Sequence, residues 1–233
     1  MSLSHQFIFG IYPYICGALF IIGSLMRFDR EQYSWRSESS QMLSTGSLRV
    51  GSNLFHIGII GLFFGHFVGM LTPHSIIHAL GVTPAQKQML AVVAGGILGT
   101  IALIGLILLI HRRLTNARVR ATSRGRDFLV LFWILATLLL GLSTVPLSVQ
   151  HSDGATMLKL MSCAQHLVTF QGDAPSFITD GSIVFKIHMF MGMSLFAIFP
   201  FTRLVHVWSG FASVGYIARP WQVVRSRKIG LNK

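Results

Sequence analysis

Acidic side chains are scarce in this 233-residue sequence: Asp and Glu together number 7 against 19 Lys and Arg, for a formal charge of +12. Charged residues of both signs amount to only 11%, while 52% are hydrophobic and the mean hydropathy is +0.62. Soluble domains usually devote about a quarter of their residues to charge. That shortage excludes an ordinary water-soluble globule and indicates a membrane protein. Cysteine is also nearly missing. Cys16 and Cys163 stand alone, which excludes C-x-x-C-H attachment of a c-type haem and a four-cysteine iron–sulfur site. No basic n-region precedes the first apolar run and no small-residue cleavage site closes it, so that run reads as a retained anchor.

Long apolar runs are what the sequence has in quantity. Five are able to cross about 30 Å of hydrocarbon: Phe7 to Met26, roughly Val50 to Leu71, Met89 to Ile110, Phe128 to Val149 and Ile183 to Trp208. The fold class expected is therefore an all-α integral membrane protein, a five-transmembrane-helix bundle. Nothing of independent domain size remains outside the spans, so a soluble catalytic module has to sit on another polypeptide. Residues 1–208 are expected to form the membrane domain and 209–233 an amphipathic tail, with Phe211, Tyr216 and Trp221 interleaved with basic residues. Such a tail suits the membrane surface or a partner subunit.

The basic surplus is lopsided along the chain. Arg27, Arg30, Arg36 and Arg49 follow the first span; Arg112, Arg113, Arg118, Arg120, Arg124 and Arg126 follow the third; and Arg203, Arg219, Arg225, Arg227, Lys228 and Lys233 close the chain. Lys87, Lys159 and Lys186 are left for the other side. The positive-inside rule then puts the N-terminus outside, in the periplasm, and the C-terminus in the cytoplasm. The charge is thus chiefly a topology signal, open also to an acidic partner or anionic membrane lipid; no nucleic-acid partner is expected. The outer link from Gln150 to Asp180 holds an apolar, helix-compatible stretch, Met157 to Thr169, before the turn-rich QGDAPS.

Ionisable residues are costly inside a membrane, yet His56 and His66 fall in the second expected span and His188 and His206 in the fifth. One such histidine alone is as readily a hydrogen-bonded packing residue between helices as a ligand. Two pairs change the balance. The two spans run in opposite directions, so His56 shares the cytoplasmic level with His206, and His66 the outer level with His188. The separations of ten and eighteen residues correspond to about 15 Å and about 27 Å of helix, a mismatch that tilting would have to reconcile. Bis-histidine ligation closes both axial positions of a haem iron and suits electron transfer. Gly58, Gly61, Gly65, Gly69 and Gly192 lie near these histidines, where they fit either a haem or close helix packing. Arg112, Arg113 and Arg203 sit at the level of the inner pair as possible propionate partners, and His74, His78 and Lys87 cluster in the link after the second span.

The segments NLFHIGIIGLFFGHFVGMLTPH from Asn53, SWRSESSQML from Ser34, QHSDGATMLKL from Gln150 and FPFTRLVHVW from Phe199 together resemble the gamma subunit of respiratory membrane-bound nitrate reductase. The resemblance implies a diheme cytochrome b of the bacterial or archaeal cytoplasmic membrane, with two non-covalent b-type haems and quinol as substrate. His56 and His206 would hold the inner haem iron, His66 and His188 the outer one. Lys87, Gly65 and Gly69 would line the quinol pocket. Electrons would leave to an iron–sulfur beta subunit and a molybdenum-containing alpha subunit that reduces nitrate in the cytoplasm. Two alternatives stay open from the residues alone: a related diheme subunit serving another cytoplasmic reductase, and a haem-free transporter using the histidines as a proton relay.

Overall fold

The computed structural model describes residues 2–30, 46–150 and 153–209. The tail expected to be amphipathic, apart from Ser209, and the whole SWRSESSQML segment lie outside those residues. Among the described residues every regular element is helical, and five helices are long and apolar enough to cross a membrane. We label the helices α1 (Leu3–Arg30), α2 (Gly46–Leu71), α3 (His74–Ala79), α4 (Pro84–Thr115), α5 (Ala117–Ala121), α6 (Gly125–Gln150), α7 (Ala155–Val168) and α8 (Ile183–Ile198).

Local chemistry sets several boundaries. Within α1 the turn Phe7–Ile11 widens to a π-helix just before Pro13, whose missing N–H cannot bond the carbonyl four residues back. Thr83 and Gln86 form a capping box at the start of α4, with Pro84 in its first turn. Asn116 caps α5 by accepting from the N–H groups of Arg118 and Val119.

The fifth span departs from expectation. Its long helix does not run to Trp208 but stops at Ile198. Two 3₁₀ turns follow, Phe199–Phe201 and Arg203–Val205, separated by an extended Thr202. Pro200 is the cause, because it cannot continue the i→i−4 ladder. The carbonyls of Pro200 and Thr202 are taken up by Arg27 at the end of α1, whose Nη1 donates to them at 2.6 and 2.8 Å. At Gly23 a side chain would collide with the proline ring, 2.7 Å from Pro200 Cγ.

Packing centres on α4. Ala102 and Leu106 of α4 meet Val130, Ile134 and Leu138 of α6, with Phe55 and Leu62 of α2 and Leu195 of α8 against them. The α2–α4 crossing is close because small residues line it. A Cβ at Gly58 would lie 2.5 Å from Ala102 N and 2.6 Å from Leu98 O, and one at Gly105 would run into the Phe55 main chain. Such spacing lets two backbones approach in a medium where association depends on van der Waals contact. Large apolar side chains such as Ile57, Phe67, Leu90 and Leu129 point outward, as lipid-facing residues must. The outer link folds as expected into a helix, α7. Rather than lying free along the interface it packs into the bundle: Met161 and Cys163 are fully buried, and burial pushes the Cys163 thiol up to about 11.

The crossing yields a stability prediction. Gly58→Ala forces α2 and α4 apart and should destabilise the protein by about 1–3 kcal/mol in detergent unfolding titrations. Gly95→Ala, which meets nothing within 4 Å, should be neutral or slightly stabilising; equal behaviour of the two variants would contradict the close crossing.

Candidate functional site

Four histidines converge in two pairs. His56 and His66 sit on α2 two to three turns apart, and His188 lies in the second turn of α8. His206 follows the turn Arg203–Val205 and is therefore beyond the helix that carries His188, not on the same face of one continuous helix. The rings of His56 and His206 have centroids 6.3 Å apart with planes at 75°. Those of His66 and His188 are 6.2 Å apart at 48°. The eighteen residues between His188 and His206 are thus not one straight helix, since the chain breaks at Pro200.

All four rings share one hydrogen-bonding pattern. His56 Nδ1 meets Ser52 O at 2.7 Å, His66 Nδ1 meets Leu62 O at 2.8 Å, His188 Nδ1 meets Thr137 O at 3.0 Å and His206 Nδ1 meets Arg203 O at 2.6 Å. A carbonyl only accepts, so in each ring Nδ1 carries the hydrogen and donates. The neutral ring then presents Nε2 with an open lone pair, which is how a protein fixes the tautomer and orientation of a metal-binding imidazole. A metal–imidazole bond is about 2 Å long, so two of them end to end, with the near halves of both rings, span about 6 Å. Both centroid separations meet that requirement for a haem iron held between two imidazoles. They are too long for the rings to hydrogen-bond directly, and no such bond is formed.

The glycines divide between the two roles open to them. Gly58 and Gly61 are occupied by packing on α4, the latter against Leu98. At Gly65, Gly69 and Gly192 a Cβ would meet nothing within 4 Å, so open space borders the histidines there. A residue the sequence did not single out, Gly141 of α6, makes room for a ligand candidate: a Cβ on it would stand 2.8 Å from His188 Cε1. Nothing in its flanking sequence marks this role.

At the level of His206 the arginines are partly committed. Asp127, 1% exposed, takes Arg113 Nη1 on Oδ2 at 3.2 Å and Arg203 Nε on Oδ1 at 2.8 Å. Arg112 and Arg113 are both buried. Among the described residues one carboxylate, Asp127, faces two guanidinium groups. Asp127 is not marked by the histidine and arginine patterns of the sequence, although an aspartate between Arg126 and the apolar run from Phe128 is a readable signal.

At the other end, Lys87 lies in the first turn of α4. Its side chain is buried, and Nζ finds no hydrogen-bond partner among the described residues. Burying an ammonium without an acceptor costs several kcal/mol, which sets Lys87 apart from the exposed Lys159 and the half-buried Lys186. Gly154, in the left-handed conformation at φ 81°, lets α7 begin hard against Pro84. Gln165 of α7 donates to the carbonyls of Met70 and Thr72 at the end of α2, and His74 Nε2 pairs with Ser162 Oγ at 3.2 Å. His74 is thereby tied to α7, whereas His78 lies in the last turn of α3.

Comparison with known proteins gives one consistent result. Residues 5–227 match the family model of the nitrate reductase gamma subunit. The chain is 50% identical over 222 residues to the respiratory nitrate reductase 2 gamma chain of Escherichia coli strain K12, covering 95% of this chain and 97% of that one. It is 49% identical over 228 residues to the respiratory nitrate reductase 1 gamma chain of the same organism, covering 97% and 100%. With the nitrate reductase gamma chain of Bacillus subtilis strain 168 it shares 34% identity over 225 residues, again 97% and 100% of the two chains.

Proposed function

The chain belongs to the nitrate reductase gamma subunit family, and from that premise we propose that it is the membrane cytochrome b of a respiratory nitrate reductase, oxidising quinol at its outer end and passing electrons through two b haems to cytoplasmic partners. The observation that carries this reading is the pair of imidazole couples, each about 6 Å between centroids with every Nδ1 tied to a main-chain carbonyl. His56 and His206 would hold the inner haem iron, and His66 and His188 the outer. When bound, such a group supplies one-electron transfer at a metal closed to oxygen and substrate. The hydrogen bonds at Nδ1 fix the orientation of each ring and leave Nε2 as the nitrogen that would bind metal, so little reorganisation would accompany ligation. Arg112, Arg113 and Arg203 would offer guanidinium groups to the propionates of the inner group.

Quinol would enter beside Gly65 and Gly69, where the missing side chains leave space, and Lys87 Nζ would donate to one of its oxygens. Oxidation of quinol releases protons, which the outer surface with His74 and His78 is able to receive. The chain lies N-terminus outside and C-terminus inside, following the distribution of arginine. Residues 1–208 act as the membrane unit, and 209–233 meet the partner subunits or the membrane surface. The partners are an iron–sulfur beta subunit and a molybdenum-containing alpha subunit. A histidine relay without haem is disfavoured because neither ring pair is within direct hydrogen-bonding distance.

Purified chain should show b-type absorbance and two haems by pyridine haemochrome assay. His66→Ala or His188→Ala should remove one haem and abolish quinol-driven reduction, while artificial donors to the soluble partners still work. His56→Ala or His206→Ala should remove the other haem and block exit of electrons. A colourless preparation would refute the cytochrome reading.

Lys87→Met should raise the quinol KM about tenfold or more with haem content intact and thermal stability maintained or improved, since the unpaired ammonium is gone. A loss of stability with unchanged KM would show that Nζ serves the fold instead. A C-terminal fluorescent fusion should glow and a C-terminal alkaline phosphatase fusion should be inactive, and the reverse pattern would invert the topology.

A further inference from the structure

Behind the His56/His206 pair lies a charged cluster with no direct part in ligation. Asp127 stands at the start of α6, with its side chain 1% exposed. Its Oδ2 accepts from Arg113 Nη1 of α4 at 3.2 Å and from the main-chain N–H of Arg124 at 3.0 Å. Oδ1 accepts from Arg203 Nε at 2.8 Å. Arg113 also donates to Ser123 Oγ at 2.8 Å. The carboxylate therefore joins α4, the α5–α6 link and the segment after the broken fifth span.

That last connection reaches the histidine. Arg203 begins the 3₁₀ turn Arg203–Val205, and its carbonyl is the acceptor for His206 Nδ1 at 2.6 Å. The segment cannot rely on helical continuity for its position, because Pro200 and the extended Thr202 interrupt the ladder. Three hydrogen-bonding holds from other helices replace it: Arg27 on the carbonyls of Pro200 and Thr202, Asp127 on the Arg203 side chain, and Ser24 Oγ accepting from Trp208 Nε1 at 3.3 Å. Of these only Asp127 holds the residue whose carbonyl meets His206. His56, by contrast, is anchored within its own uninterrupted helix.

We propose that Asp127 is a positioning residue for His206: through its ion pair with Arg203 it fixes the turn whose carbonyl orients the imidazole, and so sets the geometry of the inner haem ligand without touching the haem. The inference rests on the cytochrome reading above. It differs from a helix-capping role for Asp127, which the Arg124 N–H bond would satisfy without Arg203.

Arg203→Ala separates the two. It keeps the Arg203 carbonyl and leaves Asp127 paired with Arg113, so the cluster stays charge-compensated; Asp127→Ala removes the carboxylate itself. In the intact complex, both variants and their double should be compared with wild type by haem content and by the low-spin EPR signal of each haem. The His56→Ala and His66→Ala proteins identify which signal belongs to which haem. The anisotropy of that signal follows the angle between the two imidazole planes. The expected result is that Arg203→Ala and Asp127→Ala each shift or delete the inner-haem signal alone, that the double variant is no worse than either, and that the outer haem keeps its signal and content. An effect of Arg203→Ala beside an unaltered inner-haem signal in Asp127→Ala overturns the proposal by making Arg203 a direct propionate partner. An unaltered inner-haem signal in Arg203→Ala overturns the proposal and leaves Asp127 as a cap. Equal loss of both haems also overturns it, by making the cluster a general element of the fold. Wild-type complex without haem would remove the cytochrome reading itself.

Discussion

A bilayer offers no water to a polar group, so every N–H, carbonyl and charge that this chain carries into the hydrocarbon has to find its partner within the protein. Four imidazoles, one carboxylate and the loose end of a broken helix are the groups at stake. Each is answered by a specific neighbour. The rings give their Nδ1 hydrogens to Ser52, Leu62, Thr137 and Arg203. The carbonyls released around Pro200 go to Arg27, and Asp127 is enclosed by Arg113 and Arg203. What remains after this accounting is informative, because Lys87, whose Nζ has no partner among the described residues, is the residue proposed to meet quinol.

The same constraint explains why small residues matter more than large ones. With lipid tails as apolar as leucine, helices adhere through close contact, and the α2–α4 crossing obtains it from Gly58 and Gly105. That crossing fixes the helix bearing His56 and His66. α6 then supplies the other side, with Thr137 as acceptor and Gly141 as clearance for His188. The histidines are thus held by elements that make no covalent or metal bond themselves, the usual arrangement for sites that must not reorganise.

Much of this was legible in the sequence. Five runs of suitable length, an arginine bias and two histidines in each of two spans were enough to expect a helical bundle with paired imidazoles. The helix in the outer link was readable from Met157 to Thr169, and the structure has it as Ala155–Val168. The fifth span was read too far because its apolar content continues through Phe199 and Phe201, and hydropathy does not register the hydrogen bond that Pro200 removes. Asp127 carried a weaker signal, being an acid beside several arginines, while its ion-pair partners come from residues 14 and 76 positions away.

Glycine shows the limit most plainly. Gly58, Gly61, Gly65 and Gly69 follow one another at three or four residues on one helix, and both helix packing and a neighbouring cofactor would explain them. Only the position of α4 separates the first two from the others, since a Cβ at Gly58 or Gly61 meets α4 and one at Gly65 or Gly69 meets open space. The sequence by itself determined the class of protein, the number of crossings and which histidines had to be compared, because these depend on composition and on periodicity along one chain. Tertiary structure decided which nitrogen of each ring is open, how a broken helix still delivers His206, and which glycines leave room. Those properties belong to atoms brought together from distant positions, and no spacing along the chain encodes their distances.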